Sequence, residues 1–440
     1  MSNQAFSNGS RRGLGVRVLA LLATVSFSLA GAEERPPGGQ EATQLDDLIE
    51  EAISSNPELA AARAEVQASQ SRIEPAGALD NPMLEAGLVN VPLNPVSLSR
   101  EEMTMQMLGV SQRLPFPGKR ELRREVARAE ADSVELGLQE SSNRLVRDVR
   151  MVWEELVFNA ESQRIIERTR TELRALATLT SARYDVGQAM QTDVLEAQTE
   201  LERLGTQRLA LERDEAALRS ELRRLLGRTD DVQLSLPEPE LLETPATPDQ
   251  LHEAALSGRP QLRGLQALAD RAERSVELAR RDYYPDFDVR LQYGLRERAP
   301  DGMERDDMVS LVVAVDLPLW RKSKLEPQVA ESRAMRTQAL QMLEAERLAT
   351  VAELDTQLAE MRKWRSTAAL YESTLLPQAR AAVSSAYAAY RVGGVDFATL
   401  RQAQLRALDA TLAHAEAVAN HNKAAAEIDL LAGAPIRSQP

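Results

Sequence analysis

The chain contains one sequence unit twice, and this duplication constrains its fold more than any other feature. In the first part of each unit, matching residues lie 203 positions apart: Leu48, Ala52, Ser54, Pro57 and Leu59 recur as Leu251, Ala255, Ser257, Pro260 and Leu262. Farther along the spacing becomes 206, where Tyr184-Asp-Val-Gly187 matches Tyr390-Arg-Val-Gly393. Ordered agreement along so much of the chain predicts two copies of one structural unit.

Each unit has the same predicted order of elements. A short helix that ends near Asn56-Pro57 is followed by a second helix, two short strands, and two long helices that a glycine-containing turn joins. We predict a first unit over residues 44–227, a proline-rich connector over 228–249, a second unit over 250–433, and a C-terminal tail over 434–440.

Four segments alternate apolar and polar residues, as strands do. They lie at about residues 83–90, 103–114, 286–295 and 308–317. The alternation suits a half-buried soluble sheet as well as a membrane-facing one, but the lengths match a tilted strand that crosses a bilayer. Four strands cannot close a barrel in lipid, whereas three copies supply twelve.

The predicted fold is therefore mainly α with a small transmembrane part. It is a trimeric 12-stranded β-barrel, four strands per protomer, continued by a long α-helical barrel. The candidate lumen residues are the charged side chains on the polar side of the strands, Glu85, Asp288, Arg290 and Asp316. Tuning of ion passage and ordinary polar lining explain the three acidic residues, Glu85, Asp288 and Asp316, equally well.

Long helical stretches dominate the rest of the chain. Apolar residues recur every three or four positions from 119 to 183, 192 to 226, 328 to 391 and 397 to 431. Pro377 interrupts the third stretch and predicts a kink or a break there. Such helices cannot bury their apolar stripes alone, so we expect coiled-coil-like packing side by side.

The N-terminus has the pattern of a secretory signal peptide over residues 1–32. Arg11, Arg12 and Arg17 precede an apolar stretch at 18–29 and the small residues Ala30-Gly31-Ala32. The apolar stretch is too short to cross a bilayer as a helix. We therefore expect an exported chain, with a flexible segment at 33–43 before the first helix.

Composition excludes several classes of function. The formal net charge of -14 leaves no basic surplus to neutralise nucleic-acid phosphates. There is no cysteine and there are only three histidines, and no Ser-His-Asp set, metal-ligand cluster or phosphate loop is present. We predict no enzyme activity, no cofactor and no metal site. Met103, Met105 and Met107 are possible soft-metal ligands, but contact with lipid or packing partners is the favoured interpretation.

With these parts in place, the sequence resembles the TolC-like outer-membrane efflux protein family from about residue 43 to 434. The resemblance rests on the duplication, on Asn56-Pro57 and its counterpart Arg259-Pro260, and on the segments around Gly187 and Gly393. It implies a homotrimer whose barrel lies in outer-membrane lipid and whose helices cross the periplasm. It also implies that the helical tips meet a periplasmic adaptor (membrane fusion) protein joined to an inner-membrane efflux pump.

The resemblance also implies roles for residues at the tips. Val186, Gly187, Val392 and Gly393 match the family's adaptor-facing turns, and Thr192, Asp193 and Tyr390 match positions that help hold the tip closed. The chain departs from the family beyond Gly393, where Gly394-Val-Asp-Phe lacks the expected basic residue.

The substrate is less constrained than the fold. The segment Gln112-Arg-Leu-Pro-Phe-Pro-Gly-Lys-Arg120 resembles the heavy-metal efflux branch of the family, which suggests metal cations. The alternative is an exported coiled-coil structural or scaffold protein without a pore. That alternative explains the helices but leaves the four alternating segments without a role.

Overall fold

A computed structural model describes residues 44–243 and 246–433. The signal peptide predicted at 1–32, the segment at 33–43 and the tail at 434–440 lie outside the described residues. The helices are α1 (Leu45–Ser55), α2 (Pro57–Ala76), α3 (Lys119–Asp185), α4 (Gln191–Leu226), α5 (Pro248–Gly258), α6 (Pro260–Arg281), α7 (Glu326–Leu370), α8 (Leu376–Arg391) and α9 (Phe397–Leu431). The strands are β1 (Met83–Val89), β2 (Met105–Leu114), β3 (Asp286–Leu295) and β4 (Met308–Asp316).

Asn56 ends α1 and starts α2. Its Oδ1 accepts hydrogen bonds from the backbone N–H groups of Glu58 (2.8 Å) and Leu59 (3.1 Å), which would otherwise lack partners in the first turn of α2. Its Nδ2 donates to the carbonyl oxygen of Leu225 at the end of α4 (2.8 Å). One side chain therefore both caps a short helix and anchors it to a long one.

Arg259 occupies the corresponding position in the second unit and makes different bonds. Its Nη1 donates to Thr350 Oγ1 on α7 (2.7 Å), and its Nη2 lies 3.4 Å from Glu140 Oε1 on α3. Glu346 Oε1 on α7 lies 3.4 Å from Nη1. The side chains of Arg259 and Glu140 are both buried. The two units therefore use one backbone turn but stabilise it with different chemistry.

The first long helix is α-helical throughout, whereas its counterpart in the second unit contains a π-helical turn. Helix α3 has 67 residues and is about 100 Å long at 1.5 Å per residue. In the second unit a π-helical turn at Tyr371–Leu375 separates α7 from α8. Pro377 follows this turn and has no N–H to donate to the carbonyl group four residues earlier, so the helix widens before it. The interruption predicted at Pro377 takes the form of this π-helical turn, through which the backbone stays helical, and is not a break.

The four strands form one antiparallel sheet in the order β1-β2-β3-β4. Each strand joins a helix at one end, and the loops at 90–104 and 296–307 lie at the other end. Strand β2 begins at Met105 rather than near residue 103, because Thr104 belongs to the loop. The Thr104 hydroxyl donates to the carbonyl oxygen of Asn90 (2.6 Å), and its N–H donates to that of Glu101 (3.2 Å).

The hydrophobic core lies among the helices. One buried cluster joins α1, α3 and α4 through Leu48, Val149, Leu156 and Leu226. A second cluster joins the distal half of α3 to α4, α8 and α9 and includes Tyr390 and Phe397. Among the described helices, none is long and apolar enough to cross a membrane.

Candidate functional site

The four charged residues predicted to line a pore share one face of the sheet. Residues paired directly across antiparallel strands project to the same face. Glu85 on β1 pairs with Gly109 on β2, which pairs with Gln292 on β3. Residues 286, 288, 290 and 292 alternate along β3 onto this face, and Asp316 on β4 pairs with Asp286. We call this the polar face.

Charged groups on the polar face contact one another in separate sets. Arg290 Nε lies 3.2 Å from Asp288 Oδ1, and Arg113 Nη2 lies 3.6 Å from Asp286 Oδ2 and 3.8 Å from Asp316 Oδ2. Glu85 Oε2 accepts a hydrogen bond from Gln292 Nε2 (3.4 Å). The predicted lumen residues therefore lie on one surface without forming a single cluster.

The opposite face of the sheet is apolar and exposed in the single chain. Leu84 is 73% exposed and Leu311 is 68% exposed. The same face carries further exposed apolar residues on all four strands: Leu88, Leu108, Val110, Leu291, Tyr293, Leu295, Val309, Val313 and Val315. An apolar surface of this extent marks contact with lipid or with another protein.

Two methionines lie on the polar face, which removes lipid contact from the sequence-based interpretation and leaves contact with packing partners. Met107 pairs with Gly87 and Gly294, and Met105 lies two residues away on the same side of β2. They therefore do not share a face with Leu108 and the other lipid-facing candidates. In β2 the apolar residues lie first at odd positions (Met105 and Met107) and then at even positions (Leu108 and Val110). The sequence of the strand alone therefore does not show which of these residues face the polar side of the sheet. Pairing with β1 and β3 determines it.

Gly187 and Gly393 form the turns that join the long helices. Their φ angles are 74° and 75°, a left-handed conformation that side chains other than glycine rarely adopt. The valines before them are exposed, Val186 by 68% and Val392 by 84%. A Cβ atom added to Gly393 would lie 3.8 Å from Arg183 Nη2, so the turns of the two units are neighbours. The structure therefore brings all four predicted turn residues to one end of the helices.

Tyr390 is buried between the two units, only 3% exposed. Its hydroxyl lies 3.0 Å from Thr180 Oγ1, and its ring meets that of Phe397 edge-on, with centroids 6.1 Å apart. The guanidinium carbon of Arg183 lies 4.7 Å from the ring centroid, and Arg183 Nη1 donates to the carbonyl oxygen of Tyr390.

The structure does not bring Thr192 and Asp193 to Tyr390. Thr192 is exposed, and Asp193 Oδ2 accepts a hydrogen bond from the backbone N–H of Met190 (3.3 Å) at the start of α4. Among the described residues, the hydrogen-bond partners of Tyr390's side chain and carbonyl include Thr180 and Arg183. The sequence analysis gave no role to Arg183. The available signal was its position directly before the repeated motif that begins at Tyr184.

The histidines contact backbone and neighbouring side chains. His421 is buried, with its ring nitrogens 3.1 Å and 3.0 Å from the carbonyl oxygens of Met361 and Leu242. His252 contacts the carbonyl oxygen of Pro248 (2.8 Å) and Asp355 Oδ1 (2.9 Å). Within residues 44–243 and 246–433, no group of three or more His, Cys, Asp or Glu side chains is arranged to hold a metal ion.

Comparisons with known proteins agree with this architecture. The sequence model of the family described as outer membrane efflux protein matches residues 48–228 and 251–434, one stretch in each unit. A search of curated proteins finds no match.

Several solved structures share the fold. The outer membrane protein VceC of Vibrio cholerae aligns with a TM-score of 0.76 and 19% identity, over 90% of this chain and 97% of VceC. CusC, whose crystal structures concern folding and transmembrane channel formation, aligns with a TM-score of 0.76 and 15% identity, over 90% and 93%. The Campylobacter jejuni CmeC outer membrane channel aligns with a TM-score of 0.74 and 13% identity, over 96% and 94%. The chain therefore belongs to the outer membrane efflux protein family, as a non-enzymatic subunit of a trimeric channel with strands in the outer membrane and helices in the periplasm.

Proposed function

We propose that the channel formed by this chain carries heavy-metal cations to the cell exterior, after a periplasmic adaptor protein and an inner-membrane pump deliver them. The observation that carries the proposal is the two-faced sheet. Its apolar face suits lipid and its charged face suits an aqueous pore, and long helices that end in paired turns continue it.

The charge of the polar face supports cations as the substrate. The strands carry four carboxylates on this face and two guanidinium groups: Glu85, Asp286, Asp288 and Asp316 against Arg113 and Arg290. Lys119 at the start of α3 lies 2.9 Å from Asp286 Oδ1, so one more acid than bases remains when it is counted. Three copies would give the pore a negative lining, and rings of acidic groups favour cations. The resemblance of residues 112–120 to the heavy-metal efflux branch points the same way.

The adaptor contact is proposed for the turns at the end of the helices. Val186 and Val392 are exposed apolar side chains at the tips of two neighbouring turns, and Gly187 and Gly393 set the shape of those turns. An exposed apolar pair on a well-defined backbone suits a protein partner better than water.

The tip gate is proposed to include Tyr390 together with Thr192 and Asp193 at the neighbouring helix start. Arg183 and Thr180 hold Tyr390 against α3, so a movement of α8 away from α3 must break these contacts. Thr192 and Asp193 lie near the exposed start of α4, where they remain available to another protomer.

A planar-bilayer experiment on the purified chain tests the proposal. We expect a detergent-solubilised trimer that conducts ions and prefers K⁺ to Cl⁻. The double variant E85Q/D316N should lower this preference without preventing assembly, whereas E212Q on the exposed side of α4 should not change it.

Two outcomes would contradict parts of the proposal. A monomeric chain without conductance would favour the scaffold without a pore. A conducting trimer with no cation preference would remove the support for metal cations but leave the channel intact.

A further inference from the structure

Three methionines lie near one glycine on the polar face of the sheet, one in contact with it and two paired with it across the strands. Gly294 on β3 pairs directly with Met107 on β2 and with Met308 on β4, so both methionines project to its face. Met105 projects to the same face, two residues before Met107. A Cβ atom added to Gly294 would lie 2.5 Å from Met105 Sδ, so the thioether of Met105 fills the space that the glycine leaves open.

The spacing of the strands allows the three thioethers to meet. Neighbouring strands lie about 4.7–4.9 Å apart, so Met107 and Met308 approach Gly294 from either side within the reach of their own flexible side chains. Met107 also pairs with Gly87, where an added Cβ atom would contact nothing within 4 Å. Met107 therefore stands between two glycines and has room to turn its sulfur toward Met105.

The chemistry of this group suits a soft cation. Thioether sulfur is a soft ligand that selects Cu(I) and similar ions over hard cations such as Mg²⁺. The chain has no cysteine, so methionine supplies all of its sulfur ligands. Glu85 lies on the same face, two residues from Gly87, and adds negative charge near a site whose ligands are neutral.

We propose that Met105, Met107 and Met308 form a binding site for a soft monovalent cation, Cu(I) or Ag(I). The site lies at the end of the sheet nearest the loops at 90–104 and 296–307. Its use during efflux rests on the proposed function, whereas cation binding itself does not.

Titration of the purified trimer with silver nitrate in chloride-free nitrate buffer tests the site. Isothermal titration calorimetry gives the affinity, and equilibrium dialysis followed by elemental analysis gives the silver bound per chain. We expect M105L/M107L to lower the affinity at least tenfold, and M308L to lower it less. Leucine is close to methionine in volume, so the sheet should be preserved. The matched control is M335L/M342L, which removes two exposed methionines from α7.

A second variant tests the geometry without removing any sulfur atom. G294A places a Cβ atom where Met105 Sδ now lies and displaces that thioether, so we expect weaker silver binding with all methionines retained. If M105L/M107L fails to assemble, G294A and M308L carry the test.

The results separate this site from the proposed function. Silver binding that is unchanged in M105L/M107L and G294A, or lowered equally in M335L/M342L, would overturn the site. Normal K⁺ conductance together with unchanged silver binding in these variants would reject the site and leave the channel standing. If the wild-type chain did not conduct but bound silver in a methionine-dependent way, the site would stand and the proposed channel function would be rejected.

Discussion

Arg183 lies over the ring of Tyr390, with its guanidinium carbon 4.7 Å from the ring centroid, and it also donates to the carbonyl oxygen of the same residue. One side chain of α3 thus holds both the ring and the backbone at the end of α8. The two residues come from different units of the duplication, so this contact fastens the two helical hairpins together near their turns.

Replacing Arg183 with alanine is expected to loosen the tip. In the proposed gate this contact breaks when the tip opens. A cation–π contact contributes about 0.5–1 kcal/mol at an exposed site and a hydrogen bond about 1 kcal/mol, so R183A should cost the contacted state about 1–2 kcal/mol. Because each 1.4 kcal/mol is a tenfold change in an equilibrium, the open probability in planar bilayers should rise by about tenfold.

The control for this variant is R168A, which removes a highly exposed arginine of the same helix whose Nε lies 3.7 Å from Glu172 Oε1. We expect no change in open probability there. R183K should recover part of the wild-type behaviour, since lysine keeps the charge but not the planar group. Equal open probability in R183A and R168A would remove Arg183 from the gate.

Replacing Gly187 or Gly393 with valine is expected to weaken adaptor binding while the barrel still assembles. A side chain at positive φ costs roughly 1–2 kcal/mol, so the turn should change its backbone conformation. The measurement is crosslinking to the adaptor in cells, with trimer formation on gels as the check on assembly. The control G137A lies in the middle of α3, where an added Cβ atom meets nothing within 4 Å. Wild-type crosslinking in both valine variants would argue against contact at these turns.

The sequence predicts the elements of this fold better than the contacts between them. The alternation in β3 and β4 predicts both their extent and their faces, because each carries one apolar side along its length. The faces of Met105 and Met107 could not be predicted, because the alternation reverses within β2 and only cross-strand pairs resolve it. Arg183 was missed for a related reason: its partner is 207 residues away, and no local pattern reports such a contact.

The duplication likewise predicts equivalent backbone but not equivalent chemistry. Asn56 and Arg259 hold the same place in the two units, and both precede the proline that opens a helix. Asn56 caps that helix with its own side chain, whereas Arg259 reaches across to α3 and α7. Sequence equivalence therefore locates the turn, and the partners depend on which helices surround it.

Removing Arg259 is expected to destabilise the helical part strongly. R259A would leave the buried Glu140 with one of its two arginine partners removed, and breaking a buried ion pair costs about 3–5 kcal/mol. We expect a loss near the lower end of this range, because Arg144 Nε still lies 3.3 Å from Glu140 Oε1 in the variant's starting structure. Thermal unfolding in detergent, followed by circular dichroism, measures the change.

The double variant E140Q/R259M separates charge from shape. It removes both buried charges, so we expect it to be more stable than R259A. The exposed-pair control R168A should lie within about 1 kcal/mol of wild type. If the double variant were less stable than R259A, the ion pair would not explain the loss.

His252 is expected to make the contact between α5 and α7 depend on pH. The hydrogen bond to the carbonyl oxygen of Pro248, and then Asp355, raise the pKa of His252 above its ordinary value of 6.5. A raised pKa in the folded state means that the protonated ring stabilises the fold. This stabilisation is fully present below the unfolded-state pKa and is lost as the pH rises through the folded-state value. The stability difference between wild type and H252Q should therefore be larger at pH 5.5 than at pH 8.5, measured by thermal unfolding of the detergent-solubilised chain.

D355N should reduce the pH dependence in the wild-type background, because it removes the carboxylate that faces the ring at 2.9 Å. H414Q controls for the loss of a histidine elsewhere on the helices, and an equal pH dependence in H414Q and H252Q would show that the contact at His252 is not its source.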